Sequence, residues 1–339
     1  MPIPGKSGVG FLLNSVSLGT EEKGKRVRKA KSEEVETLIY DCAIIGGGPA
    51  GLSAALVLGR SKRNTLLFDD DHGRNLVTRE SHGFLTRDGI QPMELKKMGR
   101  EDIEKYDCVQ LKKKRVASII RISETHYQLE TNEGEIFHST KIILATGVME
   151  QLPNIPDIEK YYGTSLFSCP YCDGWEIQDQ PLAIIADKMV FDLAKKVYNW
   201  SKDLIVFTNG IGRLEEDEKS RLQAKGIKIY EDIIDGLEGE NGQLRSVRLE
   251  DGTLVDRVAG FTTPLWSHTT PFAKELGCKI NDHGGVLTDD YGRTNIWNVY
   301  AAGDVSQIVP SQLIIAAGEG SAAAIGVNGD LTNEYFDSE

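Results

Sequence analysis

The chain reads as an α/β protein of two Rossmann-like units of three-layer ββα type, the second inserted into the first, and three observations carry that reading. A strand, glycine turn, helix and strand follow one another from Tyr40. A second strand–helix–strand pattern begins at Leu182. A short apolar run and a long helix of small residues close the chain at Val299–Ala302 and Ser311–Ile325. Strands that alternate with helices build a parallel sheet covered on both faces, and strands in such a sheet are apolar throughout.

The elements follow in order. Tyr40 to Ile45 is an apolar run ending in glycines, Ala50 to Leu58 is helical and rich in small residues, and Asn64 to Phe68 is a second buried strand ending in three aspartates. Gln110–Ile122 and Tyr127–Thr131 alternate as strands, the turn Asn132–Gly134 leads to Ile136–Phe137, and Lys141–Leu144 is another buried run. The second unit comprises strand Leu182–Ile185, helix Phe191–Trp200 and strand Leu204–Phe207.

Composition narrows the class. The chain has 339 residues, a length that suggests two or three domains, and 40% hydrophobic with 27% charged residues is ordinary for a folded globular protein. No apolar run approaches the roughly 18 residues of a membrane span. A net charge of −12 gives no general field for nucleic acid or anionic lipid, so neither is expected as a partner. Five cysteines are too few and odd in number for a disulfide scaffold, which fits a reducing, cytoplasmic compartment. Cys42, Cys108 and Cys278 stand alone. Residues 1–39 lack periodicity and carry a basic cluster from Lys23 to Lys31, and the Phe11–Leu13 patch is too short for a secretory signal. They are expected to form a disordered extension, with an organellar import signal as the other reading.

Gly46-x-Gly48-x-x-Gly51 follows the first strand and opens the first helix, with Pro49 and Ala50 between the last two glycines. Gly46 makes the tight turn, Gly48 lets backbone approach a pyrophosphate, and Gly51 lets helix pack on strand. Free N–H groups at the helix start would hold the anion. An acid at the end of the next strand should bind a ribose hydroxyl, and Asp69 or Asp70 fills that place. Ala145-Thr146-Gly147 and Gly303-Asp304 each follow a buried run. With the fingerprint they make residues 40–330 similar to the flavoprotein disulfide reductases, specifically the low-molecular-weight thioredoxin reductases (class II pyridine nucleotide-disulfide oxidoreductases). The resemblance implies FAD as cofactor, Asp304 on its ribityl and phosphate part, and Gln312 at the flavin ring edge. It also implies a homodimer. The expected division is an FAD domain of residues 40–154 and 264–330, an inserted dithiol-bearing domain of degenerate pyridine-nucleotide type at 155–263, and a tail at 331–339.

Cys169-Pro170-Tyr171-Cys172-Asp173-Gly174 lies just before the second unit. Two intervening residues let both sulfurs meet at a helix start, where the dipole favours a thiolate. Structural zinc would want a second Cys or His pair, and no other Cys-x-x-Cys exists, so no metal is expected. The same tetrapeptide occurs in glutaredoxins, which lack the dinucleotide fingerprint, and a bland buried cysteine pair is the remaining reading. In the family the chain resembles, Cys172 faces the flavin, Cys169 exchanges with substrate and Asp173 handles the proton.

The family pattern breaks in the second unit. After Leu182–Ile185 a second glycine fingerprint is due, yet Ala186-Asp187-Lys188-Met189-Val190-Phe191 contains no glycine, and Asp187 adds a like charge where a pyrophosphate would lie. Arginines for a 2′-phosphate are due after Leu204–Phe207, and Thr208-Asn209-Gly210 follows instead. The expectation is a flavin-dependent exchange between FAD and a thioredoxin-like disulfide through Cys169 and Cys172 without the usual NADPH site. A ferredoxin-type donor is one replacement and would dock on Lys112–Arg115 or Lys195-Lys196, although the acidic chain disfavours it. The alternatives are a small-molecule dithiol oxidase using oxygen and a flavin-bound redox sensor without turnover. His268 and Trp175 read as structural rather than catalytic.

Overall fold

A computed structural model describes residues 38–337; the expectations for the N-terminal stretch up to residue 37 lie outside them, as do residues 338 and 339. Strands β1 (Ile39–Ile45) and β2 (Thr65–Phe68) pair in parallel and are joined by helix α1 (Pro49–Arg60). Helix α2 (Pro92–Ile103), which sequence periodicity did not reveal, leads to β3 (Val109–Lys112), parallel to β2. Charged residues at Glu94, Lys96, Lys97, Arg100, Glu101 and Asp102 leave that helix only a thin apolar stripe, with Ile103 its one buried residue.

The run Gln110–Ile122, expected to be one strand, is two. β3 ends at Lys112, and β4 (Val116–Ser123) lies at the opposite edge of the same sheet, antiparallel to β5 (His126–Thr131). Polar and apolar residues on both sides keep a strand-like alternation, so the pattern alone could not show the break. Conversely, the runs at Ile136–Phe137 and Lys141–Leu144 are one strand, β6 (Ile136–Leu144). The beginning of β6 pairs antiparallel with β5, while its end pairs in parallel with β1 and with the late strand β17 (Val299–Ala301). The carboxyl ends therefore align: Ile45 sits beside both Phe68 and Leu144, and Leu144 beside Ala301. The turns that follow these four residues emerge side by side.

The next elements are β7 (Val148–Gln151), β8 (Leu166–Phe167), α3 (Pro170–Asp173), β9 (Leu182–Ile185), α4 (Val190–Val197), β10 (Leu204–Phe207), α5 (Glu216–Gln223) and β11 (Lys228–Tyr230). An antiparallel meander of β12 (Ile234–Glu240), β13 (Gln243–Leu249) and β14 (Leu254–Asp256) precedes β15 (Ala259–Thr262) and β16 (Leu265–His268). Asn241 and Gly242 both have positive φ in the tight turn from β12 to β13, the pairing that Asn-Gly favours in hairpins. The second sheet, in order β11-β10-β9-β15-β8, is parallel throughout, and β7 pairs antiparallel with β16.

The parallel strands of both sheets are buried on their two faces by separate apolar clusters. Cys42 and Cys278 are buried packing residues, and the Cys108 thiol contacts the Gly59 carbonyl. After the short helix α6 (Phe272–Glu275), helix α7 (Leu313–Asp337) closes the fold on α1. Its buried face consists largely of small residues, and a Cβ at Gly320 would lie 1.9 Å from the Ala50 carbonyl oxygen. The helix continues through Asp337, so the expected tail from 331 is helical as far as it is described. One anchor is the wholly buried Lys141, which donates to Glu334 at 2.7 Å.

Candidate active site

A cleft of about 470 Å³ opens at the carboxyl end of the first sheet, where ligands of open α/β sheets bind. Its floor is the glycine turn. Gly46 has φ +114°, and a Cβ there would lie 2.1 Å from the Ala145 carbonyl oxygen; one on Gly51 would lie 1.8 Å from that of Gly46. A Cβ on Gly48 would meet nothing within 4 Å, so this residue keeps open the space that a pyrophosphate needs. Pro49 and Ala50 begin α1 on the cleft wall. Ala145, Thr146 and Gly147 line the neighbouring edge. Gly303, with φ +81°, passes against Ala50, and Asp304 and Gln312 complete the far wall. The residues fit FAD: the void over Gly48, the amides at the start of α1 and the polar groups of Asp304 and Gln312 meet its demands, and the volume suits a cofactor site.

The aspartates expected to meet a ribose, Asp69 and Asp70, differ in their surroundings. Asp69 is 4% exposed, accepts from Lys96 at 2.8 Å and from Arg100 at 2.5 Å, and lies where any Cβ on Gly47 would collide with it. Asp71 shares both cations, and its carboxyl is held below the usual range: burial works against ionisation, but hydrogen bonds from Arg100 and Lys96 outweigh it. Asp70 is more open, with Arg115 at 3.5 Å. Sequence reasoning missed Lys96 and Arg100 because it missed α2.

Cys169 and Cys172 are joined as a disulfide, their Cα atoms 5.3 Å apart. Cys169 caps α3, its carbonyl accepts from the amides of Cys172 and Asp173, and Pro170 occupies the first helical position. Pro there is expected, since its missing N–H has no intrahelical partner. The Asp173 carboxyl is pushed up to about 7, chiefly by burial; neighbouring His82 lowers it and Glu176 raises it further. His82 comes from the segment after β2 and lies within 3.6–3.7 Å of Glu80, Asp88 and Glu176. Tyr171 and Trp175 flank the disulfide and are 65% and 71% exposed. Neither cysteine lines the cleft, so the structure gathers the cradle residues in one place and the dithiol in another.

Polar bridges join the two. One is the approach of His82, from the segment after β2, to Glu176 at 3.6 Å, a pair that is ionic when the imidazole is protonated. The other starts at Arg74, which donates to Asp304 at 2.9 Å, Ser311 at 2.8 Å and Glu150 at 3.1 Å, and lies over the Trp266 ring. Burial works against the Arg74 charge, but Asp304 and Glu150 more than offset it and raise its pKa. Glu150 in turn accepts from Tyr162 at 2.6 Å and Ser168 at 3.3 Å. Burial, with Glu150 beside it, pushes the Tyr162 hydroxyl well above the usual range. No local motif announces Arg74, Glu150 or His82, and the contacts of Arg74 with Asp304 and of His82 with Glu176 span 230 and 94 residues.

The carboxyl end of the second sheet, where Ile185, Phe207 and Thr262 end their strands, is the corresponding position. Here Ala186 packs so closely on Gly212 that a Cβ there would lie 2.6 Å from the Ala186 carbonyl oxygen. One Asp187 carboxylate oxygen and the Thr262 hydroxyl are buried without a hydrogen-bond partner. Met189 adopts the left-handed conformation, and Asn209 turns its side chain to accept from the Ile234 amide. The two candidate basic patches are largely committed elsewhere. Lys114 pairs with Glu133 and Glu135, Lys112 lies over Phe137, Lys195 pairs with Asp192 and Lys196 lies over Tyr171. His268 contacts the Gly284 carbonyl, outside the cleft.

A family model described as pyridine nucleotide-disulphide oxidoreductase matches residues 40–195 and 208–326. Thioredoxin reductase sirT of Leptosphaeria maculans is 29% identical over 309 residues, 86% of this chain and 94% of that protein. Among solved structures, the "Putative Thioredoxin Reductase TrxB from Bacillus anthracis" is 43% identical with a TM-score of 0.85, covering 87% of this chain and 99% of that one. The structure of HlmI is 30% identical with a TM-score of 0.84, covering 88% and 95%.

Proposed function

The chain belongs to the pyridine nucleotide-disulphide oxidoreductase family as a thioredoxin reductase-like, FAD-binding flavoprotein, and we propose that it exchanges electron pairs between FAD and a thioredoxin-like protein disulfide through Cys169 and Cys172. The observation that carries this reading is the Cys169–Cys172 disulfide beside a carboxyl that holds its proton to about pH 7. When bound, FAD supplies two-electron exchange. Two electrons and two protons convert the disulfide into two thiols. The Cys169 thiolate then attacks the substrate disulfide, forming a mixed disulfide and expelling one substrate thiolate. Cys172 attacks the Cys169 sulfur, restores the enzyme disulfide and releases the second thiolate. Asp173, next to Cys172 in the chain, is the residue we assign to deliver and recover the proton that each step moves.

The reading includes a donor other than NADPH. It is supported by the glycine-free loop Ala186–Val190 and the close packing of Ala186 on Gly212. The test is anaerobic mixing of the oxidised holoenzyme with NADPH, reduced ferredoxin or dithiothreitol while flavin absorbance is followed. NADPH is expected to leave the flavin oxidised; rapid stoichiometric bleaching by NADPH overturns this part of the reading.

The same residues also run in reverse. A small dithiol would reduce Cys169–Cys172, and oxygen would take the electron pair, giving a substrate disulfide and hydrogen peroxide. The exposed Tyr171 and Trp175 beside the disulfide favour this second reading, since they offer an apolar surface to a small substrate. Peroxide formed in air from dithiols, set against reduction of thioredoxin, separates the directions.

A further inference from the structure

The dithiol and the cleft are built on different elements, and a two-electron exchange between them demands a fixed spacing. The chain Asp304–Arg74–Glu150–Tyr162/Ser168 joins them through side-chain contacts of 2.6–3.3 Å. One end is the aspartate of the cradle wall. The other is Ser168, the residue bonded directly to Cys169.

Glu150 is the centre of this chain. Its side chain is 10% exposed; Oε1 accepts from the Arg74 guanidinium and the Ser168 hydroxyl, and Oε2 from the Tyr162 hydroxyl. Trp266, opposite Glu150 in the β7–β16 pairing, covers the other face of Arg74. Charge-assisted hydrogen bonds of this kind are directional and, in a site shielded from water, worth more than their exposed counterparts. A carboxylate required only for stability has no reason to link the two redox parts of the molecule.

We propose that Glu150 is a positioning residue that fixes the dithiol segment Tyr162–Cys169 relative to the flavin cradle, acting through Arg74 on one side and through Tyr162 and Ser168 on the other. This rests on the proposed exchange through Cys169 and Cys172. Glu150 touches no reacting atom. Because the β7–β16 pairing and the approach of His82 to Glu176 remain, loss of Glu150 loosens the spacing and leaves the fold in place. Misplacement by about 1 Å can cost up to about 100-fold in rate, and with those contacts kept a loss of about tenfold is expected.

The test compares Glu150→Gln and Tyr162→Phe with wild type. Dithiothreitol is mixed anaerobically with each FAD-loaded protein, and flavin bleaching and the long-wavelength thiolate-to-flavin absorbance are recorded. Hydrogen exchange across residues 162–168 is measured with and without FAD. Glu150→Gln is expected to keep its FAD and two titratable thiols after reduction, to bleach about tenfold more slowly, to lose the long-wavelength band, and to exchange faster across 162–168 even without FAD. Tyr162→Phe should show the same changes in smaller degree, and it carries the test if Glu150→Gln does not fold. Wild-type exchange and bleaching in the variants overturn the proposal. If Cys169→Ser bleaches like wild type, the exchange function itself fails. The hydrogen-exchange result still decides whether Glu150 fixes the segment.

Discussion

The parallel strands of the two sheets end at corresponding positions, and the turns that follow them differ. At the first, a cleft of about 470 Å³ lies over Gly48, whose missing side chain leaves open space. At the second, Ala186 is packed on Gly212, and Asp187 puts a carboxylate where the first sheet keeps bare backbone. A nucleotide-binding topology supplies a location, and on the proposed reading the residues of one turn set whether a pyrophosphate enters. Asp187 and Thr262 leave buried oxygens without partners. Such groups cost stability.

The sharpest way to break the contrast is Gly48→Val. It places a branched side chain in the open space of the first cleft while leaving the second sheet untouched. The purified variant is expected to be folded by far-UV circular dichroism but to retain less than about a tenth of the wild-type flavin, a loss of more than about 1.4 kcal/mol in binding. Full flavin content in Gly48→Val would show that the first cleft is not the FAD site.

Next in size is Asp173→Asn. Dithiol–disulfide exchange should fall on the order of 100-fold. The inflection near pH 7 in the wild-type profile, which follows from a carboxyl raised to about 7 by burial, should vanish. Stability carries a second signature. A carboxyl whose folded pKa is raised stabilises the fold while it is protonated, below the ordinary carboxylate range near pH 4. That contribution fades as pH rises toward about 7. Urea titrations between pH 4 and 8 should show the wild type losing stability over that window and Asp173→Asn staying flat. Matching slopes would mean that Asp173 ionises like an exposed aspartate.

What could be read in the sequence was the part in which chemistry restricts residue type over a few positions. Gly46, Gly48 and Gly51 answer to one turn, Cys169 and Cys172 to one helix start, and both therefore show as local patterns. The position of Asp69 was legible, but its commitment to Lys96 and Arg100 was not, because those cations arrive on α2, whose charged surface hides its apolar stripe. Arg74 meets Asp304 across 230 residues and Glu150 across 76, and contacts at such separations leave no periodic trace. The break between β3 and β4 was hidden for a related reason: alternation reports that residues are extended, and it does not say in which part of a sheet they lie.

The smallest expected effect tests whether the corresponding position of the second sheet is closed by backbone shape or by side chains. Met189 sits at φ 50°, outside the favoured regions for a residue with a Cβ, and its side chain is largely exposed. Glycine there relieves roughly 1–2 kcal/mol of steric cost. It also adds roughly 0.5–1 kcal/mol of unfolded-state freedom. Met189→Gly should therefore raise stability by about 0 to 1.5 kcal/mol, visible as a small shift in the urea midpoint. NADPH should still fail to bleach the flavin, because Asp187 and the Ala186–Gly212 packing remain. If this single glycine restores rapid bleaching, the turn conformation was the barrier. If bleaching appears only when Asp187 is also replaced by glycine, the carboxylate was a barrier in addition to the turn, and Asp187→Gly alone shows whether it suffices.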